Sequence, residues 1–393
     1  MTRGESEDDS SYRLFILGAG FSQPAGLPLA NELWEEIRKR AEGLRGRAAK
    51  FHDDLRDYLE FKLECDGLKT QAEDVDFEDF CRFLDIEHFL GLRGSDTWSR
   101  DGNEGTVVIK TLIGEILAER TPLSQDIPEL YLNFAEMLRP DDYVLTFNYD
   151  VLLERALEAI GKRYRLFPKR YKSVRGQSAT VDFSAKEVVI LKLHGSIDWF
   201  DREEYSLWQR EYERLGSSED PTHPVFNTKD DLGLRKLIEG PRQPDDPLRE
   251  MYRVRNVETL YEKKNLWPLA VPWLLAPSTM KILYAGKLES FWHGQGSYGG
   301  VWNSGLAIIG YSLPTQDDYA RQGVYSLVTN YQRHNRIEEV GRNKSRLLLV
   351  DRCEGNKQID SFKANYRFVD WDRAELWTDG LNQNALDFIF EEP

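Results

Sequence analysis

Apolar residues along the chain fall in short runs, and each run ends in small or polar residues. Leu14 to Leu17 leads into Gly18-Ala19-Gly20-Phe21-Ser22, and Tyr143 to Phe147 into Asn148-Tyr149-Asp150. Glu187 to Leu193 leads into His194-Gly195-Ser196, Leu306 to Gly310 into Tyr311-Ser312-Leu313-Pro314, and Arg346 to Val350 into Asp351-Arg352-Cys353. Runs this short, without polar alternation, predict strands buried on both faces. Helical spacing fills the intervals. Leu33, Trp34 and Ile37 predict a helix over Leu29 to Arg40, and Val151, Leu152, Ala156, Leu157 and Ile160 one over Asp150 to Ile160, stopped by Gly161. Buried strands alternating with helices predict an α/β fold: a Rossmann-like parallel sheet with helices on both faces. Ligands of such sheets sit beyond the carboxyl ends of the strands, so the polar strand tips converge on one crevice.

Two stretches break the alternation. From about 41 to 140 the spacing of Phe77, Phe80, Cys81, Leu84, Leu112, Ile113, Ile116 and Leu117 predicts a helical insertion, with an exposed Gly/Ser/Asp-rich loop over 91–105. Residues 200 to 270 are charge-rich with scattered aromatics and no clear period, which predicts a second insertion of mixed helix and loop. Residues 1–10 are acidic and polar and are expected to be disordered, leaving 11–393 as one domain with two insertions.

Composition narrows the function classes. With 40% hydrophobic and 30% charged residues among 393, the chain is an ordinary globular one. A net charge of −15 argues against broad attraction to phosphate backbones, so no direct nucleic-acid binding is expected. The three cysteines, Cys65, Cys81 and Cys353, form no C-x-x-C pair and support neither a disulfide framework nor a metal site. The start lacks the basic and apolar segments of a secretory leader, and the apolar runs are far short of a membrane span. A cytoplasmic protein with no membrane contact and no bound metal is expected.

The strand tips carry the candidate chemistry. Gly18 and Gly20 let the backbone approach a pyrophosphate closely, although Gln23 stands where the dehydrogenase fingerprint has its third glycine. A tight turn that binds nothing is the other reading. Asn148 offers a donor and acceptors and Asp150 can accept from an amide or hydroxyl, while either could simply cap the following helix. His194 ends an apolar strand ahead of a glycine, where a neutral imidazole can take a proton from a ribose hydroxyl or water. A satisfied core histidine would look the same. Gly310 and Ser312 could hold a phosphate, and Asp351 an adenosine ribose. The aromatics Trp199, Phe200, Trp208, Trp267 and Trp273 suit an interface, the core or a pocket wall equally.

In order and setting, Gly18-Ala19-Gly20-Phe21-Ser22 with Ala25-Gly26-Leu27-Pro28, Thr146-x-Asn148-x-Asp150, Leu193-His194-Gly195-Ser196, Gly310-x-Ser312-Leu313 and Val350-Asp351 resemble the sirtuin NAD-binding fold. The resemblance is closer to bacterial sirtuin-like domains of antiphage defence than to protein deacylases. It implies NAD as substrate, with Gly18, Ala19, Gly20, Phe21 and Ser22 at the pyrophosphate. It further implies Asn148 and Asp150 at the nicotinamide ribose and carboxamide, His194 as the catalytic histidine with Asn148, Gly310 and Ser312 at phosphate, and Asp351 at the adenosine ribose. The deacylases' four-cysteine zinc module is missing, since residues 197 to 305 contain no cysteine. Their Gly-Ile-Pro-Asp-Phe-Arg segment is replaced by Gly26-Leu27-Pro28-Leu29-Ala30-Asn31, which removes the aromatic thought to shield the reactive sugar.

The expected activity is therefore hydrolysis of NAD to nicotinamide and ADP-ribose, depleting NAD in antiphage defence. A zinc-independent deacylase or ADP-ribosyltransferase shares the site and differs in the acceptor; a sensor of NAD or ADP-ribose would bind without chemistry. A free NAD hydrolase would harm its own cell, so the resemblance implies a homo-oligomer and a separate activator, with a HerA-type hexameric ATPase as one candidate.

Overall fold

The computed structural model describes residues 11–93, 102–176, 178–262, 268–293, 303–333, 336–337 and 342–391. The expected disorder of residues 1–10, the centre of the 91–105 loop and Trp267 lie outside these. Among the described residues fourteen strands appear in chain order. They are β1 (Tyr12–Leu17), β2 (Tyr143–Thr146), β3 (Tyr164–Arg165), β4 (Tyr171–Arg175), β5 (Ser178–Val181), β6 (Val188–Lys192) and β7 (Trp199–Asp201), then β8 (Arg235–Lys236), β9 (Met251–Arg253), β10 (Asn303–Ile309), β11 (Arg336–Ile337), β12 (Arg342–Asn343), β13 (Leu347–Val350) and β14 (Ala374–Trp377).

Seven of them form one sheet in the order β14-β13-β10-β1-β2-β6-β3, and every pairing in it is parallel. Consecutive residues Leu14–Leu17 of β1 and all of β6 are buried, as a strand covered on both faces requires. Strand β1 lies centrally. The chain moves from it through β2 to β6 on one side, then crosses to β10, β13 and β14 on the other, so the topological switch falls between β1 and β10.

The sheet is the predicted one with an extra strand at each edge. Strand β3 is two residues long, and β14 has one fully buried residue followed by partly exposed ones, so neither produces an apolar run. The helices are α1 (Ala19–Ser22), α2 (Ala30–Ala41), α3 (Lys50–Glu64), α4 (Phe77–Leu90), α5 (Glu104–Arg120), α6 (Glu129–Met137) and α7 (Leu152–Ala159), then α8 (Glu203–Arg214), α9 (Val257–Tyr261), α10 (Glu289–Trp292), α11 (Asp318–Arg333), α12 (Asn356–Asn365) and α13 (Gln383–Phe390). Helices α3 to α6 occupy the stretch read as a helical insertion. Of these α5 is buried at every residue from Glu104 to Ala118. The stretch from 200 to 270 holds α8 and α9 and also the antiparallel sheet β7-β9-β8, whose strands of two or three residues are too short to leave a period in the sequence. On the face carrying Phe15, the ring lies 5.8 Å from Phe134 of α6 and 5.5 Å from Phe390 of α13. Among the described residues no helix is long and apolar enough to cross a membrane.

Candidate active site

The site starts at the switch point. The turn after β1 and the end of β10 touch backbone to backbone: Gly18 N–H donates to Ile309 O at 3.0 Å and Gly20 N–H to Gly310 O at 2.9 Å. A Cβ on Gly18 would stand 2.5 Å from Gly310 O, and one on Gly20 2.7 Å from Gly310 Cα. Gly310 also has φ +62°, a region that side-chain-bearing residues avoid. These glycines are thus required by the crossing itself. It leaves the opening of a cleft of about 920 Å³ lined by Ala19, Gly20, Asn148, His194, Gly310, Ser312 and Asp351 among others.

Asn148 follows β2. Its Nδ2 donates to Gly18 O at 2.9 Å and to Ser22 Oγ at 3.1 Å, tying the β2 tip to the β1 turn. Ser22 Oγ donates to Asp150 Oδ2 at 2.9 Å, and Asp150 Oδ1 accepts from Leu152 N at 3.0 Å at the start of α7. The capping role open to Asp150 from sequence is therefore filled, while its carboxylate also holds Ser22. Beneath it, fully buried Lys192 donates to the Asp150 carbonyl and to Glu154 Oε1 at 2.9 Å. Ser22 and Asp150 line an adjoining pocket of about 590 Å³, which shares Ala19, Asn148 and Tyr149 with the cleft. Phe21 points elsewhere: its ring packs at 5.3 Å on Tyr131 and 5.0 Å on Phe134, in the core. Gly18 contributes backbone contacts and lines neither space.

His194 follows β6 and is held by backbone on both sides. Its carbonyl accepts from Leu275 N at 2.9 Å, and Gly195, at φ +79°, sits so close to the 273–275 segment that a Cβ would lie 2.4 Å from Trp273 O. That contact explains the glycine after the histidine. The imidazole is 5% exposed, walled by Phe147 at 5.0 Å, Tyr319 at 6.0 Å and Tyr149 at 6.1 Å between ring centroids. Its Nε2 has no hydrogen-bond partner and lies 3.4 Å from Asp317 Oδ2. Burial, reinforced by the Lys281 charge, pushes the imidazole down to about 3, with Asp317 and a backbone bond to Phe147 acting the other way. The ring is neutral throughout the physiological range.

Asp317 and Lys281 are additions that the sequence reading missed. Lys281 Nζ sits 2.9 Å from Asp317 Oδ2, both side chains almost fully buried, and Tyr311 Oη donates to the same oxygen at 3.4 Å. Despite burial, the charges of His194, when protonated, and of Lys281 hold the Asp317 carboxyl below its ordinary value. In sequence, Asp317 signals only the helix cap that it also provides, by accepting from Ala320 N at 3.4 Å. Lys281 lies in a stretch without period, where nothing marks it.

At the far end of the cleft Asp351 follows β13. Its carboxylate accepts from Arg352 N at 2.8 Å, and burial raises its pKa. Ser312 is exposed, and its carbonyl accepts from Asn365 Nδ2 at 2.9 Å. Leu313, fully buried, adopts φ +54°, one of two non-glycine residues at positive φ among those described. Of the aromatics, Trp199 and Phe200 are core residues, and Trp273 stacks on Trp199 at 6.4 Å. Among the described residues no group of three or more His, Cys, Asp or Glu is placed to hold a metal ion.

The strand order and the crevice at its switch point define a doubly wound α/β fold of the Rossmann type. Residues 142–250 match the family model of the SIR2-like domain, a span that includes Asn148, Asp150 and His194. A solved structure described as "Structure of Sir2Tm bound to a propionylated peptide" aligns over 97% of this chain and 92% of its own, at 12% identity and a TM-score of 0.31. No curated protein matches the chain by sequence.

Proposed function

We propose that this protein hydrolyses NAD to nicotinamide and ADP-ribose. One observation carries the reading: the Gly20–Gly310 crossing, Asn148, an unpartnered neutral His194 and Asp351 line one cleft at the switch point of a doubly wound sheet. Its volume of about 920 Å³ suits a dinucleotide, being near the upper end of the roughly 300–1,000 Å³ usual for small-molecule sites. The SIR2-like match over 142–250 supports the same ligand.

In the reaction the bond between the ribose C1′ and the nicotinamide nitrogen breaks, and its electron pair neutralises the departing pyridinium. Water adds to the oxocarbenium-like carbon and loses a proton. Asn148, its amide nitrogen fixed by Gly18 and Ser22, directs its side-chain oxygen at the ribose or the water. His194 Nε2 receives the proton. Asp150 keeps lone pairs for the nicotinamide carboxamide beyond those given to Ser22 and Leu152. Asp351 meets the adenosine ribose, and Gly310 and Ser312 lie at phosphate.

The biological setting follows the resemblance: NAD depletion in antiviral defence, by a homo-oligomer gated by a separate partner such as a HerA-type ATPase. The purified chain, alone and with a co-encoded neighbour, is to be incubated with NAD while nicotinamide release is followed. ADP-ribose without any modified peptide supports hydrolysis; loss of an acyl group from a peptide, or transfer of ADP-ribose to one, would replace it with the deacylase or ADP-ribosyltransferase reading. A second reading, binding without turnover, draws on the low basicity of His194. NAD bound and recovered intact under all these conditions would establish it.

A further inference from the structure

Resting on the reading of the cleft as the place of glycosidic cleavage, we infer that the buried Asp317–Lys281 pair sets the charge and orientation of His194. Asp317 is the positioning acid and Lys281 the cation that competes for it. Three facts converge. His194 Nε2 is buried without a partner, and the nearest acidic oxygen, Asp317 Oδ2, is 3.4 Å away. The same oxygen is held by Lys281 Nζ at 2.9 Å and approached by Tyr311 Oη. All three side chains line the cleft, so what occupies the cleft touches the pair and the imidazole together.

The chemistry follows from the arrangement. A base must carry the proton it accepts, and an imidazolium in a buried site is stable only beside an anion. Asp317 is that anion, and it faces the same nitrogen that takes the proton, so the imidazolium forms directly against it. While Lys281 remains bonded to it, the cation cancels its field and keeps His194 neutral. The other titratable side chains packed on the ring are Tyr149 and Tyr319, with ring centroids at 6.1 and 6.0 Å, and the Lys281 charge also acts on Glu78 and Asp85 of α4. Removing either member of the pair therefore moves the imidazole in opposite directions.

The test follows the imidazole in the full chain by ¹⁵N chemical shifts of labelled histidine, with parent protein, Lys281→Gln, Lys281→Met and Asp317→Asn compared between pH 5 and 8. His194→Gln assigns the signal, and circular dichroism selects the folded variants. An opposite charge at this range moves a pKa by about 1–3 units, so the lysine variants develop imidazolium character at the acid end while the parent and Asp317→Asn stay neutral. In turnover, Asp317→Asn lowers kcat at least tenfold with KM for NAD within twofold of the parent, and Asp317→Glu restores part of it. A His194 signal unchanged in both lysine variants overturns the inference, as does parental kcat in Asp317→Asn. Shifts that move as expected in a protein that never cleaves NAD sustain the coupling and remove the hydrolase reading instead.

Discussion

Gly20 N–H donates to Gly310 O at 2.9 Å, and a Cβ on Gly310 would stand 2.3 Å from the carbonyl carbon of Gly20. Two loops nearly 300 residues apart in the chain are thus pressed together where only hydrogens fit. Gly310→Ala combines this collision with φ +62°, and it is expected to cost about 3 kcal/mol or more. Gly26→Ala has φ +89° but open space around the added carbon, and about 1–2 kcal/mol is expected. Urea midpoints of the two variants check the order; equal losses would mean that the crossing is looser than described.

Asn148 and His194 should fail in different ways. His194→Ala removes a ring that bonds no side chain, and a drop in nicotinamide release of about 10²- to 10⁴-fold with NAD binding retained is expected. Asn148→Ala also unties Gly18 and Ser22, so turnover falls and stability falls with it by about 1–3 kcal/mol. Initial rates, calorimetric NAD binding and thermal melts separate the two. Parental turnover in either variant would remove that residue from the site.

Acid should weaken the fold through two buried histidines. His194 is depressed to about 3 and His223 to about 4, both by burial first, whereas each takes up a proton near 6.5 once unfolded. Between those values the unfolded state binds more protons, so stability declines as pH falls from about 6.5 towards 4. His194→Gln should flatten part of that decline in urea melts run between pH 4.5 and 7.5. A parental slope in this variant would show that the imidazole is not held neutral.

Under the site, Lys192 and Glu154 form a buried pair at 2.9 Å. Lys192→Met leaves Glu154 uncompensated and removes a donor from the Asp150 carbonyl, with an expected loss of about 3–5 kcal/mol. The double variant Lys192→Met with Glu154→Leu buries no unmatched charge and should recover most of this. If single and double variants melt alike, the pair is not what supports the β6 end of the sheet.

How much of this was legible in the sequence depended on length and sign of signal. The strands at Leu14, Tyr143, Val188, Leu306 and Leu347 announced themselves because nearly continuous apolar runs exclude alternation. Their parallel arrangement followed, and the strand-tip rule then gathered Gly20, Asn148, His194, Gly310 and Asp351 at one cleft. Edge strands β3 and β14 and the small β7-β9-β8 sheet gave no such run. Phe21 shows the opposite limit: it sits inside a phosphate-type turn, yet its side chain turns into the core against Tyr131 and Phe134. Asp317 and Lys281 were hidden for another reason. A charged residue becomes part of a site through tertiary contacts, and neither a helix cap nor an isolated lysine announces which ring it will face.

The central strand β1 has β10 as a neighbour, Tyr12 pairing with Asn303, so one wall of the cleft leaves the ribosome long after the other. A growing chain that has completed β1, β2 and β6 already displays Asn148 and His194 but still lacks Gly310, Ser312, Asp317 and Asp351. Synthesis itself therefore delays closure of the cleft until the last strands of the sheet have emerged.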